Sequence, residues 1–391
     1  MSKCVVIGVS GGIAAYKACE VVSALRKKDY EVHVIMTKNA CEFVAPLTFE
    51  TLSANRVSVD TFDRNFEYNV QHVSLAQKAD VFAILPASAN IIAKVANGLA
   101  DDMLSTSFLA CDCPKLICPA MNTKMLVNPI TQDNIQKCQS YGMKILESDD
   151  GFLACGDVGK GRLAKVDTIV AAIEMLAAQQ PSKGKKILIS TGATREYLDP
   201  IRYITNPSSG ITGREWAKAA YNLGYDVTLV CGQNSFDDLP FIKTYKVTSA
   251  KQMFEMIQKL HEDQDIIVMS AAVADFTCDQ AQNKIKKDGE GLTLNLRPTQ
   301  DILKYLGEHK KEGQILIGYA METTDLIANA KQKLVKKNCD YIIANTIDAQ
   351  NAGFKAADNQ VTIISKAQVE TWPKMAKSLI AKTLLAKIEG K

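Results

Sequence analysis

Apolar runs of strand length alternate with segments of helical length along the whole chain, and this alternation constrains the fold more than any other feature. In the first half the apolar runs lie at 5–9, 32–36, 81–85, 115–118 and 143–146. A polar stretch at 179–185, interrupted by proline and glycine, indicates a linker, and the pattern restarts with runs at 186–190, 227–231, 266–270, 315–319 and 341–344. Such alternation predicts parallel strands joined by crossover helices. We therefore predict an α/β protein with two domains, 1–180 and 181–391, of which the first is a doubly wound parallel sheet and the second a similar nucleotide-binding type of sheet.

Length and charge exclude several classes of protein. At 391 residues the chain can bury two separate cores. Its net charge is only +3, so neither nucleic acid nor an acidic membrane is indicated as a partner. The eleven cysteines are scattered, and Cys111 and Cys113 are too close in sequence for a Cys-x-x-Cys metal pair. We find neither a signal-peptide pattern nor an apolar run near the ~20 residues of a spanning helix, and we predict a cytoplasmic protein with reduced thiols.

A glycine-rich turn follows the first predicted strand, with the sequence GVSGGIAAY at 8–16. It leads into a helix, where free N–H groups and the helix dipole attract a phosphate. The dinucleotide fingerprint needs glycines at 8, 10 and 13, but Ser10 and Ile13 stand there, and the second strand ends in Thr37 rather than an acid. NAD is therefore disfavoured, while a mononucleotide such as FMN fits Ser10, Gly11, Gly12 and Thr37. The same glycines could serve only to pack the helix on the strand.

A second loop with small polar side chains, PASAN at 86–90, also follows a strand and precedes a helix. Ser88 and Asn90 in this loop, and Ser105 farther along, are suited to a flavin phosphate and ring edge. Helix N-capping explains each of them, taken singly, equally well.

One cysteine stands in a glycine-rich segment, GFLACGDVGKG at 151–161, which we interpret as a mobile loop. Such loops often carry catalytic side chains, so Cys155 is a candidate reactive thiol. A lone cysteine is more often inert and buried at a turn. A lone histidine such as His72 is likewise more often a structural residue. The presence of His72 and of the PAMN turn at 119–122, with Asn122, favours the reactive interpretation.

Hydroxyl and guanidinium groups cluster early in the second half. Arg202 and the serines Ser208 and Ser209 lie between the first strand and its helix, and such groups bind phosphorylated ligands. An Asx turn and a helix cap explain Asn206 and the serines, but they leave the arginines unexplained. Farther along, Asp275 follows an apolar strand and Lys284 lies in a polar insertion at 271–298, which is long enough to indicate function. Lys333 and Lys337 lie four residues apart on one helix face.

The motifs of the first half together resemble the flavin-containing cysteine decarboxylases. The GVSGGIAAY turn, PASAN loop, His72, PAMN turn and ACGD at 154–157 occur in register over nearly all of the first 178 residues. The resemblance implies a flavodoxin-like fold and FMN, which takes a hydride from the thiol-bearing carbon of 4′-phosphopantothenoylcysteine before CO₂ leaves. It also implies roles for His72 as the base in thiol oxidation, for Asn122 in holding the carboxylate, and for Cys155 as the final proton donor.

The second half, from about residue 185 onward, resembles phosphopantothenate–cysteine ligase and implies a Rossmann-like α/β domain. In tandem the halves resemble the bifunctional decarboxylase and ligase family of bacterial coenzyme A synthesis. The resemblance implies that CTP, with Mg²⁺ bridging its phosphates, activates 4′-phosphopantothenate as an acyl-cytidylate that cysteine then attacks. Implied roles are charge neutralisation at the α-phosphate by Lys284, carbonyl binding by Asn206, and substrate binding by Arg202. CTP contacts are implied for Ala271, Asp275, Tyr319, Lys333 and Lys337.

The chain departs from this pattern at two positions: Pro207 stands where His or Arg is common, and Tyr319 where Phe is frequent. A flavoprotein that modifies flavin or decarboxylates aromatic acids is an alternative, but it would not need Cys155 or a ligase-like half. A non-catalytic regulatory subunit would be expected to lack His72 or Asn122. The resemblance further implies a homo-oligomer, a dodecamer built from trimers and dimers. The Mg²⁺ ligands stay open.

Overall fold

The chain forms two compact units, Met1–Ala178 and Gln179–Lys391, each built on its own parallel sheet. The computed structural model describes residues 2–62, 71–153, 156–234, 236–286, 292–322, 325–346 and 358–390. Of the candidate residues, Cys155 lies outside this part of the chain. His72 lies in a described helix, but its side chain is outside the description.

The first unit alternates strands and helices as predicted. Its strands are β1 Cys4–Val9, β2 Glu31–Met36, β3 Val81–Ala87, β4 Lys115–Pro119, β5 Lys144–Ile145, β6 Asp149–Phe152 and β7 Val158–Arg162. Its helices are α1 Ala15–Arg26, α2 Lys38–Cys41, α3 Pro46–Ser53, α4 Gln71–Lys78, α5 Ala89–Asn97, α6 Met103–Ala110, α7 Thr123–Leu126, α8 Pro129–Ser140 and α9 Val166–Ala178.

Five of these strands form one parallel sheet in the order β2-β1-β3-β4-β5. This is the flavodoxin-like order, so the predicted doubly wound sheet is confirmed. The central strands were visible in the sequence because every residue of β1 and β3 is buried, which requires apolar side chains on both faces. The strand order reverses between β1 and β3, and in such sheets ligands bind outside the carboxyl ends of the strands at this reversal.

The glycine-rich segment that we interpreted as a mobile loop is an antiparallel hairpin of β6 and β7. Its second strand packs against the turn after β4, where the Met121 amide donates to the Gly161 carbonyl at 3.0 Å. A Cβ at Gly161, which has φ +140°, would lie 2.2 Å from the Met121 carbonyl oxygen. Gly161 is therefore required for the hairpin to approach this turn.

The second unit contains more short strands than the sequence indicated. Its strands are β8 Lys186–Thr191, β9 Arg195–Tyr197, β10 Tyr203–Thr205, β11 Asp226–Cys231, β12 Lys243–Lys246, β13 Ile266–Met269, β14 Phe276–Thr277, β15 Arg297–Pro298, β16 Ile315–Glu322, β17 Tyr341–Thr346, β18 Asp358–Asn359, β19 Thr362–Ser365, β20 Val369–Thr371 and β21 Met375–Ala376. Its helices are α10 Ile211–Asn222, α11 Ala250–Leu260, α12 Ile302–Glu308, α13 Leu326–Lys336 and α14 Lys377–Ile388, with a 3₁₀ turn at His261–Asp263.

The main sheet of this unit has the order β12-β11-β8-β13-β16-β17-β19-β20. Its first six strands are parallel in the Rossmann-like order, which confirms the predicted fold class, and β19 and β20 extend it antiparallel. The strand order reverses between β8 and β13. Within the described residues, none of the helices has both the length and the apolar character needed to cross a membrane.

Two candidate active sites at the strand-order reversals

Ser10 joins the two loops at the reversal in the first unit. Its hydroxyl donates to the Pro86 carbonyl at 2.8 Å and accepts from the Ser88 amide at 2.9 Å. Ser88 in turn caps α5, since its hydroxyl accepts from the Ile91 amide. The glycine-rich turn after β1 and the N-terminus of α5 are therefore held side by side. Ser88 caps α5 and also lines the cavity described next, so its capping role does not exclude a ligand contact.

A polar cavity of about 520 Å³ opens at this junction. Five of the predicted cofactor-binding residues line it, namely Ser10, Gly11, Thr37, Ser88 and Asn90. A Cβ at Gly11 would lie 2.6 Å from the Cβ of Asn39, so no larger residue fits this close approach of the turn. Ser105 is absent from the lining. It is buried and forms a capping box with Asp102, whose carboxylate accepts from the Ser105 amide at 2.8 Å.

A second, more apolar cavity of about 420 Å³ adjoins the first and shares Gly11, Ser88, Ala89 and Met125 with it. Its lining includes Gly12, Pro86, Ala120, Met121 and Asn122. The two cavities form one elongated pocket, polar at the helix N-terminus and apolar toward the PAMN turn. Gly12 and Asn122 therefore lie at the same pocket as the five predicted residues that line its polar part.

Asn122 ties the PAMN turn to the hairpin. Its Nδ2 donates to the Asp157 carboxylate at 3.0 Å, and its Oδ1 accepts from the Lys124 amide at 2.8 Å. The neighbouring Thr123 hydroxyl donates to the Lys160 carbonyl at 2.7 Å. The Gly156 amide donates to the Leu153 carbonyl at 2.9 Å. Cys155 lies between these two residues in sequence, and its distances to Asn122 and His72 stay predictions.

Two acidic residues that line the polar cavity, Asp101 and Asp102, were not predicted as site residues from the sequence. Lys94 Nζ lies 2.6 Å from an Asp101 oxygen and 2.8 Å from an Asp102 oxygen. Burial alone would raise the pKa of Asp102, but the Lys94 ammonium and the Ser105 amide and hydroxyl outweigh it and hold this pKa below its usual range. The available signal was the capping-box spacing of Asp102 and Ser105, which marks the start of α6.

In the second unit, Asn206 spans the reversal between β8 and β13. It follows β8 in the chain, and its Nδ2 donates to the Val273 carbonyl, in the loop after β13, at 3.1 Å. Thr194 reinforces this connection, because its hydroxyl accepts from the Ala274 amide at 2.9 Å and its carbonyl accepts from Thr205 Oγ1 at 2.7 Å. Asn206 is therefore held beside the loop that carries Ala271 and Asp275. Asp275 is exposed, and the Ala271 amide donates to Ser190 Oγ.

The predicted serines lie immediately before α10. The Gly210 amide donates to Ser208 Oγ at 3.3 Å, and the Ile211 amide donates to Ser209 Oγ at 3.5 Å. Gly210 is the N-cap, and its carbonyl accepts from Thr191 Oγ1 at 2.7 Å. The serines thus act in local turns, as the capping interpretation expected, and they stand at the N-terminus of a 12-residue helix at the reversal.

Arg202 contacts the polar insertion. Its guanidinium lies 2.8 Å from the Asp199 carboxylate and donates to the Ile285 carbonyl. Asp199 is fully buried and accepts from the Ile201, Arg202 and Ile285 amides at 2.8, 2.8 and 3.1 Å. Burial alone would raise the pKa of Asp199, but these amides and Arg202 hold it below its usual range. Asp199 and Arg202 therefore fix the backbone next to the exposed Lys284.

The remaining predicted CTP contacts separate into two groups. Lys333 Nζ donates to the Tyr319 carbonyl at 2.8 Å, and the Tyr319 hydroxyl accepts from the indole of the buried Trp216 at 2.7 Å. Lys337 instead pairs with Asp301, which caps α12. Lys333 and Tyr319 are thus joined, at a strand adjacent to β13, while Lys337 is held by a different helix.

The comparisons with known proteins cover both units. Residues 1–178 match the family described as Flavoprotein, and residues 182–390 match the DNA/pantothenate metabolism flavoprotein C-terminal domain. The coenzyme A biosynthesis bifunctional protein CoaBC of Bacillus subtilis (strain 168) is 45% identical over 367 residues, which are 93% of this chain and 90% of that protein.

A second curated relative covers the chain almost completely. The coenzyme A biosynthesis bifunctional protein CoaBC of Borreliella burgdorferi is 40% identical over 388 residues, which are 98% of both chains. Among solved structures, the C-terminal domain of a CoaBC protein is 36% identical and covers 55% of this chain and 96% of its own, with a TM-score of 0.46.

Proposed function

The chain belongs to the CoaBC family, the bifunctional phosphopantothenoylcysteine decarboxylases and phosphopantothenate–cysteine ligases of coenzyme A biosynthesis, and we propose how its two units divide these activities. The first unit binds FMN and decarboxylates 4′-phosphopantothenoylcysteine to 4′-phosphopantetheine. The second unit makes that substrate from 4′-phosphopantothenate, cysteine and CTP. The observation that carries the proposal is the elongated pocket at the β1/β3 reversal, polar at one end and lined by Asn122 at the other.

The residues of this pocket fit FMN. The polar end presents Ser10, Ser88 and Asn90 beside the N-terminus of α5, which is suited to a phosphate. The apolar end, with Ala120 and Met121, suits a flat ring system. Bound FMN supplies a hydride acceptor and, later in the reaction, a hydride donor.

Three side chains of the first unit then act on the substrate. We assign the substrate carboxylate to the Asn122 amide, which Asp157 orients through its hydrogen bond. His72 takes the thiol proton, because an imidazole has a pKa near the working pH. Cys155, which lies between β6 and β7 in sequence, gives a proton to the enethiolate carbon that remains after CO₂ has left.

In the second unit the reaction proceeds in two substitutions. The carboxylate of 4′-phosphopantothenate attacks the α-phosphate of CTP, and pyrophosphate leaves; Mg²⁺, when bound, would offset the charge of these phosphates. The cysteine amine then attacks the acyl carbon, and CMP leaves as the amide forms. Lys284 stabilises the negative charge on the α-phosphate, and Asn206 binds the acyl carbonyl oxygen.

Arg202 takes a positioning role in this proposal. Together with the buried Asp199, it holds Ile285 through the contacts described above, and Ile285 is the residue next to Lys284. A displaced Lys284 would lose its alignment with the α-phosphate, and small misplacements of catalytic groups are costly. We assign the CTP contacts to Ala271 and Asp275, in the loop after β13, and to Tyr319 on β16 with Lys333, which donates to its carbonyl.

Two assays on the purified full chain test the two halves separately. The native protein should show the visible absorbance of a flavin. The flavin released on denaturation should have the mass of FMN. With 4′-phosphopantothenate, cysteine and CTP, the protein should form CMP and pyrophosphate in equal amounts, and ATP should not replace CTP. A protein without flavin would overturn the first half, and formation of CDP and phosphate in place of CMP would overturn the second.

A further inference from the structure

Two cysteines that the reaction does not use lie in contact at the amino ends of the strands of the first sheet, opposite the pocket. Cys111 and Cys113 stand in the short turn between α6 and β4, and their sulfur atoms are 3.0 Å apart. This turn leads into the amino end of β4, whereas the pocket lies at the carboxyl ends of the strands. The two thiols are therefore outside the proposed flavin site.

The two sulfur atoms differ in accessibility. Cys111 is buried, with 3% of its surface exposed, and its thiol lies 3.5 Å from the Ala76 carbonyl of α4. Cys113 is partly exposed. A reagent from solution can therefore reach Cys113, while Cys111 stands behind it.

The environment favours the thiolate form of Cys111 and, because Cys113 donates a hydrogen bond to that thiolate, it raises the pKa of Cys113. The pKa of Cys111 is lowered to about 6, because the Cys113 thiol donates a hydrogen bond to the Cys111 thiolate and Lys115 lies nearby. By contrast, burial raises the pKa of Cys4 to about 12 and that of Cys138 to about 11. Thiolates, rather than thiols, carry out disulfide exchange.

We propose that Cys111 and Cys113 form a reversible disulfide by exchange with a low-molecular-weight disulfide of the glutathione class. The Cys113 sulfur passes its proton along the hydrogen bond to the Cys111 thiolate and attacks one sulfur of the reagent, and the first thiolate leaves and takes up that proton. The Cys111 thiolate then attacks the Cys113 sulfur, the protein disulfide forms, and the second thiol leaves. The chain loses two hydrogen atoms and the reagent is reduced to two thiols, so atoms and electrons balance. The sulfurs need to approach by about 1 Å to reach a disulfide bond length.

The sequence provides a direct readout of this modification. Trypsin should cut after Lys94 and Lys115, and the peptide 95–115 contains Cys111 and Cys113 as its cysteines. The flavin-loaded full chain is equilibrated with mixtures of reduced and oxidised glutathione, alkylated and digested, and the peptide is weighed. We expect it to lose two hydrogen atoms and to resist alkylation.

Cys19, a partly exposed thiol on α1, serves as the internal control. We compare the fraction of oxidised glutathione that half-oxidises the 95–115 peptide with the fraction that adds glutathione to half of Cys19. The first should be at least about tenfold lower, because the second thiol of the pair completes the exchange within the chain. In Cys113→Ser and Cys113→Ala the resistant, lighter peptide should disappear, while flavin absorbance shows that the fold is kept. Alkylation of both cysteines, or one glutathione on each of them, under conditions that already modify Cys19 would overturn the proposal.

Discussion

The Ser88 amide donates a hydrogen bond to the Ser10 hydroxyl at 2.9 Å, and this bond joins the loops that follow β1 and β3. The second unit repeats the arrangement, because Asn206, after β8, donates to Val273, after β13. In each unit a polar side chain thus crosses the point where the strand order reverses. Ser10, Ser88 and Asn90 lie at the first crossing, and Asn206 lies at the second.

Ser10→Ala should weaken flavin binding. The substitution leaves the Pro86 carbonyl and the Ser88 amide without their shared partner, which costs about 1–3 kcal/mol. Because 1.4 kcal/mol corresponds to about tenfold in a dissociation constant, we expect FMN to bind about 10-fold more weakly or worse. Equilibrium titration of the flavin-depleted protein measures this. Ser53→Ala, at another buried serine outside the pocket, should leave FMN affinity unchanged.

Asn122→Ala should abolish decarboxylation and spare ligation. We expect CO₂ release to fall by about 10²-fold or more, the usual effect of removing a donor to a reacting carboxylate or oxyanion. Asn128→Ala is the matched control, since Asn128 caps α8 as Asn122 caps α7. Both variants lose a cap worth about 1 kcal/mol, so thermal unfolding should respond similarly. If the two variants lost CO₂ release equally, Asn122 would have only a capping role.

Lys284→Gln should abolish ligation while decarboxylation of supplied 4′-phosphopantothenoylcysteine continues. The substitution removes the charge that stabilises the α-phosphate, and we expect CMP formation to fall by about 10²–10³-fold. Lys286→Gln, two residues away and equally exposed, serves as the control and should retain ligation. If both variants lost ligation equally, the effect would come from the positive charge of the insertion in general and not from Lys284 itself.

Asp199→Asn should slow ligation through Lys284. Losing the carboxylate that accepts from Ile285 lets the Lys284 segment shift, so we expect kcat to fall about 10-fold to 10²-fold with a smaller change in KM. The test is non-additivity: in the Lys284→Gln background, Asp199→Asn should cause no further loss. Asp279→Asn, at an exposed carboxylate paired with Arg297, is the control. Additive losses would show that Asp199 acts independently of Lys284.

Asp102 should make the stability of the first unit depend on pH. Its pKa is lower in the folded state, so folding favours the ionised carboxylate. That contribution is present above the pKa of the unfolded chain, about 4, and is lost as the pH falls through the folded pKa. Asp102→Asn keeps a good N-cap but removes the titration. Urea unfolding between pH 7 and acid should show a flatter pH dependence for Asp102→Asn, whereas exposed Asp133→Asn should follow the wild type.

The central strands and the loops at the reversals could be predicted from the sequence. Buried parallel strands require continuous apolar runs, and the loops that follow them carry the small polar residues that a ligand needs. The sequence therefore predicts that the turn after β1 and the PASAN loop bind the same ligand, and the hydrogen bond between Ser10 and Ser88 joins these two loops. Their contact follows from the topology, which the alternation of strands and helices restricts to few possibilities.

Three other features could not be predicted from composition and alternation alone, and two of them depend on contacts with other segments of the chain. The hairpin of β6 and β7 is glycine-rich and largely exposed, so it lacks the apolar alternation of a strand and was interpreted as a mobile loop. Arg202 donates directly to the carbonyl of Ile285, 83 residues away, and the buried Asp199 accepts from the Ile285 amide. Ser105 has the composition of a flavin contact, but its hydroxyl is directed to Asp102 by the capping box. Contacts with other segments of the chain decide the first two cases, whereas a local capping box decides the third.

Release of CO₂ from 4′-phosphopantothenoylcysteine tests the central claim most directly. The substrate is supplied to the purified full chain without CTP, and labelled CO₂ is counted against the 4′-phosphopantetheine formed. We predict one CO₂ for each 4′-phosphopantetheine, by a flavin-loaded protein, with no requirement for nucleotide. Flavin-loaded protein that releases no CO₂, or that releases it only when CTP is added, would contradict the assignment of decarboxylation to the pocket at the β1/β3 reversal.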